Sequence, residues 1–307
     1  MSNSMEGATH TAGPPWIQPE IQQKIRWHNG DVVISVPIKS GTTWTMNIVH
    51  QLLTGGTKDF RDIYEEVPWI EFLSHPGQTH QDVLNRLDAM PANRRRAFKT
   101  HSAPREVPFM KKGSGQDVKY VVVFRNPEEA LVSFRPFIEQ HADEWFDLWQ
   151  MSKEDMSRPD FLSFYHEIID NRGMQGSFFG FLKAWWPLRE EKNVLFMHFS
   201  DMKQDHEASV RKIAKFLGVE PTADQWPAIL EYTSFPWMKR HEDKFELRTA
   251  GTVTPLKSGA MMRKGEVGKA KSDGMTDDIS RHLREFGTRI FPNPVAVNWL
   301  YEGGPLP

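Results

Sequence analysis

The sequence predicts an α/β fold in three layers, a central and mostly parallel sheet flanked by helices. Three observations lead there. Short runs of β-branched residues alternate with segments of helical period, the pattern of repeated βαβ units. The strongest runs are apolar at nearly every position, not every second one, which suits strands buried on both faces. The first three runs close in turns marked by Gly or Pro.

Residues 31–37 open the series, with Val32, Val33, Ile34 and Val36. The turn Lys39-Ser40-Gly41-Thr42-Thr43 then leads into a helix whose apolar positions, Trp44, Ile48, Leu52 and Leu53, recur near a period of 3.6. Gly55-Gly56 ends it. Residues 96–101 form the second strand, closed by Pro104, and residues 119–125 the third. Asn126-Pro127 starts the next helix, with Pro127 near its first turn and Ala130, Leu131 and Phe134 on its apolar face. An aromatic helix over 178–190 precedes the fourth strand, 193–199; a helix around Ile213, Phe216 and Leu217 follows and stops at Gly218. Right-handed crossovers would join these strands. Two stretches read differently. Residues 139–160 are acid-rich and interleaved with Trp145, Phe146, Leu148 and Trp149, which predicts a solvated helix or an insertion lying over a pocket. Residues 250–275 lack periodicity and read as a loop. A flexible segment, 1–15, would precede one domain over 16–307.

Composition narrows the function. The chain has 307 residues, 38 Lys+Arg against 40 Asp+Glu, a formal net charge of −2 and no cysteine. Thiolate zinc sites, iron–sulfur clusters, disulfide scaffolds and cysteine nucleophiles are excluded. Near neutrality argues against nucleic acid as a partner, because displacing counterions from many phosphates takes a basic surplus. Any anion site must be local. No run of ~18 to 20 apolar residues spans a bilayer, and residues 1–13 lack the basic start and apolar stretch of a secretory signal. A cytoplasmic protein is expected. The 11 Trp and 20 Phe suggest a large core with aromatic-lined pockets.

Four clusters carry chemistry. A strand, a tight Gly turn and a helix amino terminus together present free N–H groups to an anion, and Lys39, Thr42 and Thr43 add charge and hydroxyls. An ordinary βα turn would read the same. The loop is not a Walker A motif, since its lysine precedes the only glycine and Trp44 follows the hydroxyls. At the end of the second strand, alternation puts Lys99 and His101 on one face and Thr100 on the other. Strand carboxyl ends bind ligands in such sheets, where a cation and an imidazole could stabilise an anion and accept a proton. The alternative is a surface pair beside Arg94-Arg95-Arg96. Third, Arg125 ends the third strand with Ser133 two turns into the following helix; Glu128 or Glu129 could instead be the partner of Arg125. Fourth, Arg263-Lys264-Gly265 lies in the late loop, where a solvated cationic segment is the plainer reading.

Taken in order, these motifs resemble the PAPS-dependent cytosolic-type sulfotransferases, in which 3′-phosphoadenosine 5′-phosphosulfate (PAPS) donates a sulfuryl group to a hydroxyl or amine. The resemblance runs from about Trp16 to about Asp273. Pro37-Ile38-Lys39-Ser40-Gly41-Thr42-Thr43-Trp44 is similar to the family's 5′-phosphosulfate loop, Lys99-Thr100-His101 to its catalytic strand end, and Arg125-Asn126-Pro127 through Val132-Ser133 to its 3′-phosphate segment. Phe199-Ser200-Asp201-Met202-Lys203 and Thr233-Ser234-Phe235 with Met238 resemble the adenine segments, and Arg263-Lys264-Gly265 the loop that closes on the 3′-phosphate. Phe199 stands where the family usually has tyrosine. After Gly268 the chain reads Lys269-Ala270-Lys271-Ser272-Asp273-Gly274 in place of the family's Asp-Trp-Lys-Asn-like run, so a homodimer through that contact stays open.

The resemblance implies a P-loop nucleotide-kinase-like fold and no metal. It makes His101 the general base, with Lys39 meeting the charge that develops on the leaving 5′-phosphate oxygen and Lys99 beside the transferring group. Ser40, Gly41, Thr42 and Thr43 would hold the 5′-phosphate, and Trp44 would stack on adenine. Arg125, Ser133, Arg263 and Lys264 would hold the 3′-phosphate, with Ser133 counted among the catalytic residues as well. Product would be 3′,5′-ADP (PAP). The acceptor would be a small hydrophobic phenol or alcohol held by insertions near 60–90, 134–175 and 235–260, which offer Tyr64, Trp69, Phe72, Phe137, Trp145, Trp149, Phe164, Tyr165, Trp237 and Phe245. The alternatives are a P-loop kinase or NTPase using ATP, and a non-catalytic PAP-binding protein.

Overall fold

The structure is a computed structural model, and it describes residues 14–91, 93–113, 115–248, 253–262, 265 and 267–307. Four strands, β1 (Val32–Ser35), β2 (Ala97–Thr100), β3 (Lys119–Phe124) and β4 (Val194–His198), form one sheet in the order β2-β1-β3-β4. Every pairing is parallel; Val33 of β1 faces Phe98 on one side and Tyr120 on the other. All four β1 residues are fully buried, which explains the unbroken apolar run. The chain leaves β1 toward β2 on one side, whereas β3 is followed by β4 on the other. Ligand crevices open where connections diverge in this way, here between the carboxyl ends of β1 and β3.

The helices lie close to their expected places. Thr42–Thr54 follows β1 and ends where Gly55 and Gly56 adopt φ values of 74° and 85°. Pro127–Glu139 follows β3, with the Asn126 side chain accepting from the Glu128 N–H. Gly176–Trp185 precedes β4, and His206–Leu217 ends at left-handed Gly218. The fourth strand stops one residue short of expectation. His198 accepts from the Ser200 N–H and so opens a short helix, Phe199–Gln204. Segment 139–160 folds into a helix, Asp143–Leu148, and a 3-10 turn, Lys153–Asp155, with Trp145 and Phe146 buried inward. Among the described residues, no helix is long and apolar enough to cross a membrane.

Two features brace the sheet around the crevice. At the amino end of β1, Arg96 holds Asp31 with two hydrogen bonds, Nε to Oδ1 at 2.9 Å and Nη2 to Oδ2 at 2.6 Å, and both residues are buried. On the outer edge of β2, the Lys99 N–H donates to the Pro68 carbonyl and the Ile70 N–H to the Lys99 carbonyl. That contact covers an exposed sheet edge and carries Trp69 and Glu71 to the functional end of β2.

Candidate active site

The loop after β1 is shaped by two residues of positive φ, Lys39 at 57° and Gly41 at 93°. A Cβ on Gly41 would come within 2.7 Å of the Phe199 ring, so only glycine fits both the conformation and the space. The first-turn N–H groups of helix Thr42–Thr54 have no intrahelical acceptor and suit an anion. Arg125, at the end of β3, donates from Nη1 to the Lys39 carbonyl at 2.8 Å, pairs with Glu129 at 3.5 Å and lies 4.5 Å over the Phe199 ring. Its Nε is buried and has no hydrogen-bond partner among the described residues. Lys39 Nζ sits 4.0 Å over the Phe137 ring.

His101 follows β2 directly. Its Nδ1 lies 2.6 Å from the Val36 carbonyl oxygen. A carbonyl only accepts, so Nδ1 carries the proton and Nε2 is left as the basic nitrogen. Burial, with Lys99 and then Lys39 adding to it, holds the imidazole well below its ordinary value, against the opposing Val36 hydrogen bond, so the ring is neutral at pH 7. Lys99 is buried and sits 3.1 Å over the Trp69 ring. Burial pushes its ammonium well below the ordinary lysine value; Glu71 opposes that shift and Lys39 adds to it.

Glu71 was not legible in the sequence. It is 1% exposed, and its Oε1 accepts from the His101 N–H at 2.7 Å and from the Thr100 hydroxyl at 2.9 Å. The Thr100 proton is shared with Gln22 Oε1, also at 2.9 Å. Burial is the largest influence and leaves the Glu71 carboxyl above its ordinary value, against the opposing pull of the His101 N–H, the Trp69 indole and Lys99. This carboxylate therefore ties the backbone of His101 and provides the counter-charge for Lys99.

The opposite side of the loop is aromatic. The Trp44 indole donates to the Thr233 carbonyl at 2.8 Å, meets Phe199 edge-on at 5.8 Å and lies beside the tilted ring of His206. Lys203 approaches Trp44 and Phe235 at 5.9 and 5.4 Å. Gly265, at φ 63°, packs so closely that a Cβ would meet the Phe235 ring at 2.7 Å.

One cavity of about 680 Å³ joins these pieces. Lys39, Gly41, Thr42, Thr43, Trp44, Lys99, His101, Arg125, Ser133, Phe199, Phe235, Met238 and Gly265 all line it. Ser40 and Thr233 do not; both are fully buried, with the Ser40 hydroxyl on the Ile38 carbonyl and Thr233 holding Trp44 and His206. Arg263 and Lys264 lie outside the described residues. Of the aromatic residues expected around the acceptor, Tyr64, Trp69, Phe72, Phe137 and Trp145 line the cavity, whereas Trp149, Phe164, Tyr165, Trp237 and Phe245 do not. The last four are packed in the core. Trp69 stacks on Phe72 at 4.8 Å and Phe72 on Trp145 at 5.9 Å, while Trp69 meets His101 edge-on at 5.1 Å. An aromatic wall thus runs away from the basic imidazole.

The sequence and the fold both have counterparts among known proteins. Mouse sulfotransferase 1A1 is 28% identical over 256 residues, covering 82% of this chain and 81% of its own. The structure of mouse sulfotransferase SULT7A1 complexed with PAP superposes with a TM-score of 0.69 at 21% identity, covering 94% of both chains. Retinol dehydratase in complex with androsterone and inactive cofactor PAP reaches a TM-score of 0.64 at 18% identity, covering 89% of this chain and 83% of its own. At these identities the two structures show the shared fold. The sulfotransferase domain model matches residues 29–289, most of the sequence, and the chain therefore belongs to the sulfotransferase domain family.

Proposed function

We propose that this sulfotransferase takes its sulfuryl group from PAPS and delivers it to the hydroxyl of a small, hydrophobic phenol or alcohol. The observation that carries the proposal is the convergence, at the carboxyl ends of the strands, of a neutral imidazole with a free Nε2 and the cations Lys39, Lys99 and Arg125. In the proposed reaction His101 Nε2 takes the acceptor hydroxyl proton as its oxygen attacks sulfur in line. The new O–S bond forms while the bond from sulfur to the 5′-phosphate oxygen breaks, and PAP departs with the electron pair. Lys39 and Lys99 stabilise the charge developing on that oxygen, with no reorganisation at the moment of transfer. The first-turn N–H groups and hydroxyls of Thr42 and Thr43 hold the 5′-phosphate; Arg125 and Ser133, joined by Arg263 and Lys264, hold the 3′-phosphate. Trp44, Phe199, Phe235 and Met238 bound the adenine.

The aromatic wall beginning at His101 supports a flat, apolar acceptor. The relatives named above include a protein solved with PAP and one solved with PAP and androsterone, which agrees with this donor and with an acceptor of that kind. A cytoplasmic location is part of the same proposal. The test is PAP release from PAPS in the presence of a panel of phenols and alcohols, read by anion-exchange chromatography. Tight PAP binding without turnover on any acceptor would point to a binding module, and magnesium-dependent ATP hydrolysis that ignores PAPS would point to an NTPase.

A further inference from the structure

We infer that His141 is a second polar anchor in the acceptor cavity, and that it selects acceptors carrying a neutral hydrogen-bond donor away from the reacting hydroxyl. This rests on the proposed reading of the cavity as the acceptor site and deepens it. His141 follows helix Pro127–Glu139, lines the cavity and is 8% exposed. Its Nδ1 lies 3.1 Å from the Phe137 carbonyl oxygen, so Nδ1 bears the proton, and among the described residues no hydrogen bond engages Nε2, whose lone pair is left for a ligand. The surroundings are apolar: the rings of Phe137 and Phe146 stand 5.0 and 5.9 Å away, and Leu256 bridges to it. A lone pair set in an apolar wall gains a directional partner when a ligand donor reaches it.

The ring is held in place before any ligand arrives. The His141 N–H donates to the Ile138 carbonyl at 3.0 Å, the Ala142 N–H to Pro255 at 3.0 Å, and the Lys257 N–H to Gln140 at 2.9 Å. Lys39 and Lys153 are the charged groups that bear on it, and Lys153 Nζ also donates to the His141 carbonyl at 3.3 Å. Burial, aided by these two cations, lowers its pKa to about 4, so at neutral pH it only accepts. A carboxylate would meet a lone pair, and an ammonium would meet the field of two lysines. The recognised group is therefore a neutral O–H or N–H, and the acceptor class is a flat, apolar diol or an alcohol with a second neutral donor.

The experiment compares matched acceptors on two scaffolds, 4-hydroxybiphenyl with its 4′-hydroxy and 4′-methoxy derivatives, and 2-naphthol with 2,6- and 2,7-dihydroxynaphthalene. With the wild-type protein, kcat/KM for a diol of at least one scaffold should exceed that of its mono-ol about tenfold or more, beyond the statistical factor of two, and the methoxy compound should be poorest. His141→Phe should bring the ratio down to the statistical factor, and His141→Gln, which retains an acceptor, should restore part of it. No diol preference on either scaffold, or a preference that survives His141→Phe, overturns the inference. Dissociation constants of the same compounds for the PAP-bound protein, read by tryptophan fluorescence, give the same ratio without turnover. A failure of sulfuryl transfer is thereby separated from a failure of the anchor.

Discussion

Replacing Glu71 by glutamine and by alanine separates the two tasks of that buried carboxylate. Its Oε1 receives the His101 N–H at 2.7 Å and a share of the Thr100 proton at 2.9 Å. Hydrogen bonds to a charged acceptor contribute about 1.5 to 3 kcal/mol each. Because the Thr100 proton is divided with Gln22, Glu71→Ala should cost about 2 to 4 kcal/mol of stability and should free the backbone that aims His101. Loss of a correctly placed base lowers the rate by about 10²- to 10⁴-fold, so Glu71→Ala should approach His101→Ala in kcat. Glutamine keeps an oxygen for His101 but removes the charge. Lys99 assists only while protonated, burial already depresses its pKa, and Glu71 opposes that depression. Without the charge, Lys99 loses its proton at lower pH, so the alkaline limb of the pH–kcat/KM profile should move down in Glu71→Gln. The groups facing Lys99 that could blur this limb are Lys39, His101 and the Tyr64 ring at 5.6 Å. Steady-state rates across pH, with thermal melts in parallel, test both tasks. A Glu71→Gln profile identical to wild type, with only the melting temperature changed, would refute the argument.

Four further outcomes follow from the same geometry. His101→Ala should abolish turnover and leave PAP affinity nearly intact by calorimetry; equal loss of both would make His101 structural. In the wild type the acid limb should lie below the ordinary histidine range, since burial and the two lysines depress that pKa and the base fails only as pH falls through it; a limb at or above 6.5 would contradict this. Gly41→Ala must accept a φ of 93° and a Cβ 2.7 Å from Phe199. Left-handed strain alone is about 1 to 2 kcal/mol, so PAP affinity should fall about tenfold or more. Asp31→Ala strands the buried Arg96 guanidinium and should cost about 3 to 5 kcal/mol in denaturant titrations. Turnover of the folded protein should be unchanged, because the pair lies at the amino ends of the strands, away from the cavity.

The sequence by itself determined the parts of this protein that are local. Runs such as Val32–Ser35 and Lys119–Phe124 are dense in β-branched residues because parallel strands are buried on both faces, and Gly55 and Gly218 stop helices through backbone conformations that other residues resist. Lys99 and His101 were legible as one face because strand alternation is a period of two. The end of β4 was less legible, since the capping contact between His198 and the Ser200 N–H competes with strand continuation at a single residue. Tertiary structure alone decided what crosses between segments. Nothing near Glu71 in the sequence shows that 68–70 would pair along the edge of β2 and bring its carboxylate to His101. Aromatic composition likewise did not separate Trp69, Phe72 and Trp145, which line the cavity, from Phe164, Tyr165, Trp237 and Phe245, which fill the core. Both surroundings reward the burial of a large apolar ring equally, and only the packing of whole elements determines which rings a ligand can touch.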